Sequence, residues 1–293
     1  MLPQTDLGNN GIKVSVLGFG AGKTGDLSIS EKEIDTLLNK VIDSGINFID
    51  TAKGYYASED RIGKFLSHRR KDFILSTKVG YGIEGIPDWT YKCIIEGVEQ
   101  ALRTMKTDYI DVVHLHSCPL HTLKQGDVIN ALLKSKDEGK LRCVAYSGEN
   151  SELEYAINSG LFSVVQTSVN IFDQGKLDEL IPLAKSKNIG VIGKRPLGNT
   201  PWKFSERPLS DYSEIYWERM KKMQLDFGRE WNEIALRFSL YSPGVSTCIA
   251  GSLNINHIIE NISFALKGKL PDDLYNEIRN RFKSAADNWT GQV

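Results

Sequence analysis

Only four cysteines occur in 293 residues, Cys93, Cys118, Cys143 and Cys248, and no two are close enough to form a Cys-x-x-Cys pair. That spacing argues against a zinc knuckle or a disulfide framework and predicts four reduced thiols. Long hydrophobic runs are also missing: the apolar stretches are strand-sized, well short of the roughly 18 residues that a membrane helix needs. The opening Met1-Leu-Pro-Gln-Thr-Asp6 lacks the charged-then-apolar order of a signal peptide, so a soluble, cytoplasmic protein with no membrane partner is expected. Nor is one sign of charge in excess. The 36 Lys plus Arg against 37 Asp plus Glu leave a formal net charge of −1, which argues against nucleic acid as a ligand, and 41% apolar residues argue against disorder. No Gly-, Pro- or Ser-rich linker or shift in composition divides the chain, so one domain over residues 1–293 is expected.

What the chain does have is alternation. Stretches rich in Val, Ile and Phe at 14–19, 46–50, 72–78, 109–116, 141–147, 162–167, 189–194 and 246–250 read as strands. Helical patterns separate them. The first carries a capping box at Ser30-x-x-Glu33, an apolar stripe of Ile34, Leu37, Leu38, Val41 and Ile42, and a stop at Gly45. The second follows Asp88, with Ile94, Val98, Ala101, Leu102 and Met105 on one face. Later ones run near 127–138, 151–159, 176–187, 229–241 and 254–266, and 58–67 supplies the remaining connection. Pro182 inside the 176–187 pattern predicts a late start or a kink.

Strand and helix alternating eight times at this length predict an α/β fold closed as a single (β/α)8 TIM barrel rather than an open doubly wound sheet. Two segments lie outside the repeat. Leu7 to Val14 reads as a short N-terminal hairpin with Asn10-Gly11 as its turn, placed to plug the barrel floor. The stretch 198–228 after the seventh strand reads as a long irregular loop holding Trp202, Phe204, Tyr212, Tyr216 and Trp217, and a loop of that length in a compact domain is usually functional.

Three of the predicted strands end on residues that packing alone does not require: Asp50, Lys78 and His116, with Tyr55 in the loop just after the first. Barrel enzymes carry their catalytic groups at these C-terminal strand ends. Taken singly, each has an ordinary reading: a turn or cap aspartate, a solvated lysine, a satisfied core histidine at His114 or His116. Taken together they form a chemical unit. A buried Lys78 needs a counter-ion, for which Asp50 is the candidate. An ammonium beside Tyr55 stabilises the phenolate and makes the phenol a better proton donor to a carbonyl.

These residues resemble the aldo-keto reductases. Phe48-Ile-Asp-Thr-Ala-Lys-Gly-Tyr55-Tyr-Ala-Ser-Glu59 is similar to that family's Asp-Thr-Ala-x-x-Tyr-Gly-x-Ser-Glu stretch, with Tyr56 where Gly is usual. Leu75-Ser-Thr-Lys78 and Asp108-Tyr-Ile-Asp-Val-Val-His-Leu-His116 match the segments bearing the family's lysine and histidine, His116 being the one that aligns. The likeness continues through Gly139-Lys-Leu-Arg142, Val165-Gln166, Arg195-Pro-Leu-Gly198 and Pro243-Gly-Val245 to Glu260-Asn261. It implies reduction of a small-molecule carbonyl by NADPH or NADH. Hydride goes to the carbonyl carbon and a proton from Tyr55 to its oxygen, while Lys78 and Asp50 tune Tyr55, His116 orients the substrate, and no metal is needed. It also admits a second class, a cofactor-binding regulatory or scaffold subunit with little turnover.

The resemblance further implies cofactor contacts at Gly20, Ala21 and Asp50, and at Ser147 and Gln166 for the nicotinamide carboxamide. Lys194, Arg195, Leu197 and Gly198 follow the seventh strand, and Gly251, Ser252, Asn254, His257, Glu260 and Asn261 surround the adenosine phosphate. Around the cofactor the sequence departs from the pattern at four places. Gly148 replaces the usual Asn, Lys194-Arg195 stands where an aromatic residue commonly stacks on the nicotinamide, and Gly251 and His257 stand where Lys and Arg are frequent. The last two remove permanent cations from the site of a 2′-phosphate, which makes NAD an alternative to NADP, the cofactor that the resemblance implies. Ser252 or Asn254 opens a helix whose free N–H groups suit an anion, and Ser252 also reads simply as a helix cap. The pocket rim is expected from 81–89, 117–121, 198–228 and the C-terminal tail, with Trp89, Trp202 and Trp289 either lining it or packed in the core. Ser117, where several relatives carry a large aromatic residue, implies a roomier or more polar pocket.

Overall fold

The computed structural model describes residues 1–292, and in it the eight predicted strands close on one another. After an antiparallel pair, β1 (Gln4–Asp6) and β2 (Lys13–Ser15), the barrel strands are β3 (Leu17–Gly20), β4 (Phe48–Asp50), β5 (Ile74–Val79), β6 (Ile110–His116), β7 (Leu141–Ser147), β8 (Val164–Ser168), β9 (Gly190–Lys194) and β10 (Thr247–Ala250). Neighbours pair in parallel in the order β10-β3-β4-β5-β6-β7-β8-β9. The fold is a (β/α)8 barrel with helices outside.

Because side chains alternate along a strand, each step of two residues along the inward face climbs one layer of the barrel interior. The lowest layers are apolar: Phe48, Val112, Cys143, Ala145, Val164 and Ile192 cluster with Leu7, Ile12 and Val14 of the hairpin, which seals the floor. Two residues further on stand Asp50, His114, Ser147, Gln166 and Lys194, and one more step along β6 reaches His116. The interior thus changes from hydrocarbon to polar toward the C-terminal strand ends. The outward faces are covered by helices such as Glu31–Asp43, whose predicted stripe of Ile34, Leu37, Leu38, Val41 and Ile42 is buried and whose capping box at Ser30 and Glu33 is fully formed.

The structure corrects several boundaries. The hairpin strands flank a six-residue loop, Leu7 to Ile12, rather than a two-residue turn at Asn10-Gly11, and Gln4 pairs with Ser15. The second long helix, Tyr91–Met105, is capped by the Thr90 hydroxyl, while Asp88 accepts the Gly82 N–H. A short helix, Leu120–Gln125, precedes Asp127–Asp137. Pro182 is the third residue of Leu180–Ser186, so the helix starts late and loses no backbone hydrogen bond. The 198–228 segment is irregular only in part, since Glu214–Met223 is helical. That helix packs with a terminal one, Asp272–Ala285, to form a second apolar cluster with Phe172, Trp231 and Ile278. All four cysteines are buried and free. Among the described residues, no helix is long and apolar enough to cross a membrane.

Candidate active site

Asp50, the last residue of β4, and Lys78, the last but one of the adjacent β5, lie on the inward face and form an ion pair of 2.5 Å, both almost fully buried. Lys78 Nζ also donates to the Thr51 carbonyl at 2.7 Å. The second oxygen of Asp50 accepts from the Ser76 hydroxyl at 2.8 Å and from the Gln166 amide at 2.9 Å, and Gln166 in turn accepts from Ser147 at 3.0 Å. Burial alone would discharge both members of the pair. The opposite charge reverses this: Lys78 holds the Asp50 carboxyl below the usual carboxylate range, and Asp50 holds the Lys78 ammonium above its ordinary value.

Tyr55, half-buried in the loop after β4, lies over this pair with Lys78 Nζ 5.0 Å from its ring centroid. Its neighbour Tyr56 is 81% exposed and sits at φ 47°, a left-handed backbone that explains why glycine is usual there. His116 stands edge-on to Tyr55, ring centroids 6.0 Å apart. Burial pushes His116 down to about 3, so its imidazole is neutral. His114, one layer lower, is also pushed down to about 3 by burial and bonds Ser76 at 3.1 Å, which makes it the core histidine. Of the three candidate tryptophans only Trp89 borders this cluster, through Tyr81. Trp202 stacks on Trp231, and Trp289 packs against Phe282.

Beside this group lies a second buried charge cluster that the sequence reading missed. Glu149 accepts from Thr167 at 2.7 Å and from the Ser168 N–H and hydroxyl at 2.8 Å each. It pairs with Lys176 at 3.0 Å and Lys194 at 3.3 Å, and Lys176 also binds Asp173 at 2.7 Å. Although burial opposes it, the two ammoniums bring Glu149 down to about 2. Lys194 is held below its ordinary value by burial and by Arg195 despite Glu149. Arg195, at φ 55°, donates to Ser168 at 3.0 Å, to Tyr212 and to the backbone carbonyl of Gln292, so the C-terminal tail crosses the barrel mouth here. Leu197 packs into the core, and Gly198, at φ 52°, lies against Phe172.

The remaining candidate cofactor residues fall into two places. Gly20 pairs with Asp50, and Ala21 donates its N–H to the Asp50 carbonyl at 2.8 Å. Beside them, after the neighbouring strand β10, Ser252, Asn254 and His257 meet at the start of helix Ile255–Leu266: Asn254 caps it, accepting from Asn256 at 2.9 Å, and His257 lies 3.2 Å from Ser252 and 3.4 Å from the Asn254 amide. The cap is therefore Asn254, and Ser252 instead accepts the Asn254 N–H at 3.1 Å. On that helix Glu260 is exposed and Asn261 buried. Two departures have steric causes. A Cβ at Gly251 would strike the Gly20 carbonyl, and one at Gly148 would strike the Tyr146 hydroxyl. A cavity lined by Trp202, Phe204, Met220 and Trp231 shares no residue with either cluster.

A family model, that of the Aldo/keto reductase family, matches residues 16–281. L-galactose dehydrogenase of Arabidopsis thaliana is 29% identical over 88% of this chain and 86% of that protein. A probable voltage-gated potassium channel subunit beta of Oryza sativa subsp. japonica is 27% identical over 88% of this chain and 89% of its own. Among solved structures, the holo form of an aldo-keto reductase from Bacillus halodurans is similar with a TM-score of 0.83 and 27% identity, covering 98% of this chain and 99% of that one.

Proposed function

Because this chain belongs to the aldo/keto reductase family, we propose that it is an NAD(P)H-dependent oxidoreductase that reduces an aldehyde, ketone or sugar carbonyl to the alcohol, or runs the reverse. The observation that carries the reading is the dry Asp50–Lys78 pair beneath the Tyr55 ring. As Tyr55 gives its proton to the carbonyl oxygen, negative charge develops on the phenol, and the nearby ammonium stabilises it where water cannot screen the field. Asp50 keeps Lys78 charged, and Ser76 and Gln166 hold Asp50 in place. Neutral His116 orients the carbonyl.

The donor set suits a dinucleotide phosphate. Ser252, Asn254 and His257 surround the first turn of a twelve-residue helix whose free N–H groups attract anions. When bound there, NAD(P)H supplies the hydride. Ser147, Gln166 and Lys194 are the inward residues that would meet its nicotinamide end, Arg195 and Gly198 its pyrophosphate, and His257 the phosphate that distinguishes NADP from NAD. Arginine carries a permanent charge and a two-pronged donor that histidine lacks. His257→Arg is therefore expected to widen the preference for NADPH over NADH by about tenfold, equivalent to about 1.4 kcal/mol. Fluorescence titration of both cofactors on both proteins checks this. An unmoved ratio, or tighter NADH binding throughout, would remove His257 from the phosphate site.

The channel-subunit relative favours one other reading, a cofactor-binding regulatory subunit. Steady-state turnover across a panel of aldehydes, ketones and sugars, with NADPH and with NADH, separates the two. Turnover with at least one carbonyl at an ordinary enzymatic rate, about 1 s⁻¹ or more, is the expected result. Tight cofactor binding with no turnover across the panel would favour the subunit.

A further inference from the structure

A neutral His116 helps a carbonyl oxygen only if the nitrogen facing it carries the proton; with the proton on the other nitrogen, a lone pair would face that oxygen and repel it. We propose that Tyr81 fixes this choice, acting as a positioning residue for His116. The Tyr81 hydroxyl lies 2.7 Å from His116 Nδ1, its only polar partner among the described residues, and the two rings stack at 5.5 Å with 24° between their planes. Tyr81 cannot easily move. Trp89 closes edge-on at 6.0 Å, a Cβ at Gly54 would already lie 3.0 Å from the hydroxyl, and Trp89 itself is seated on Gly80, whose φ of 145° admits no side chain.

Burial, with Tyr55 as a neighbour, raises the Tyr81 phenol, so it keeps its proton. A phenol with one proton and one acceptor in reach donates to that acceptor, here Nδ1. The single proton of the neutral imidazole then resides on Nε2. That atom has no partner among the described residues, and it belongs to a ring at the top of β6, set edge-on against Tyr55. The site therefore presents two donors, the Tyr55 hydroxyl and His116 Nε2–H, and an oxygen accepting from both is held for proton transfer. Without Tyr81, no other partner among the described residues would fix the tautomer of His116.

This consequence for catalysis rests on the reductase reading, but the tautomer is a property of the free protein. The test is the ¹⁵N spectrum of histidine-labelled protein, with the His116 signal assigned by its loss in His116→Gln. Wild type is expected to show a protonated Nε2 and a hydrogen-bonded, unprotonated Nδ1. Tyr81→Phe, which keeps the stacked ring, is expected to shift both signals toward a mixture of tautomers. It should also lower kcat/KM by up to about tenfold, the loss of one hydrogen bond, with unchanged cofactor dissociation constants. A proton on Nδ1 in wild type, or a His116 spectrum unaltered by Tyr81→Phe, overturns the proposal. The spectra decide it whether or not any carbonyl is turned over, so a failure of the reductase reading is told apart from a failure of this one.

Discussion

Tyr55→Phe is expected to lower carbonyl reduction by roughly 10²- to 10⁴-fold while leaving cofactor dissociation constants nearly unchanged. The substitution removes one hydroxyl and keeps the ring that covers Lys78 and meets the edge of His116. Packing and the buried pair stay intact, so lost turnover would report the proton and little else. Changing Lys78 would be less clean, because it would strand the Asp50 carboxylate, which is 2% exposed, without its cation. Single-turnover kinetics against a reactive aldehyde, with cofactor binding measured separately, make the check. Near wild-type rates in Tyr55→Phe would sink the assignment. Tyr56 would be the next phenol to try, although it is turned to solvent.

The barrel was legible because eight short runs rich in Val, Ile and Phe alternate with helical patterns, and each of those signals is local. Asp50, Lys78 and His116 stood out for the same reason: each closes an apolar run with a group that would be costly to bury alone. Glu149 gave no such signal. Its partners Thr167, Ser168, Lys176 and Lys194 come from later strands and loops, and only closure of the barrel brings them together. Tyr81 was seen only as one end of a rim segment, since nothing in the sequence indicates that its hydroxyl reaches back to His116. The steric cause of Gly148 and Gly251 was likewise hidden, because each glycine is required by an atom of another part of the fold. The helix Glu214–Met223 was lost among aromatics that read as loop residues but pack on the terminal helix instead.

Glu149→Gln is expected to destabilise the fold by about 3 to 5 kcal/mol at neutral pH, a loss typical of breaking a buried ion pair from one side. The amide has the size of the carboxylate and can still meet Thr167 and Ser168, but it leaves Lys194 without an anion and Lys176 with Asp173 alone. The pH dependence gives this loss a signature. Glu149 is brought down to about 2 in the folded chain, against about 4.3 for an ordinary glutamate, so the unfolded chain takes up its proton first as the solution is acidified. Its contribution is fully present above about pH 4.5 and is lost as pH falls toward about 2. A shift of about two units corresponds to about 3 kcal/mol, which agrees with the loss expected from breaking the pair. Denaturant unfolding of wild type and Glu149→Gln should therefore show a wide gap at pH 7 that narrows steadily below about pH 4.5, as wild type comes to resemble the variant. A gap that keeps its width down to pH 3 would show that Glu149 is not held as an ion by its two lysines. No gap at pH 7 would mean that the cluster contributes nothing net to stability, its attraction being offset by the cost of removing four charges from water.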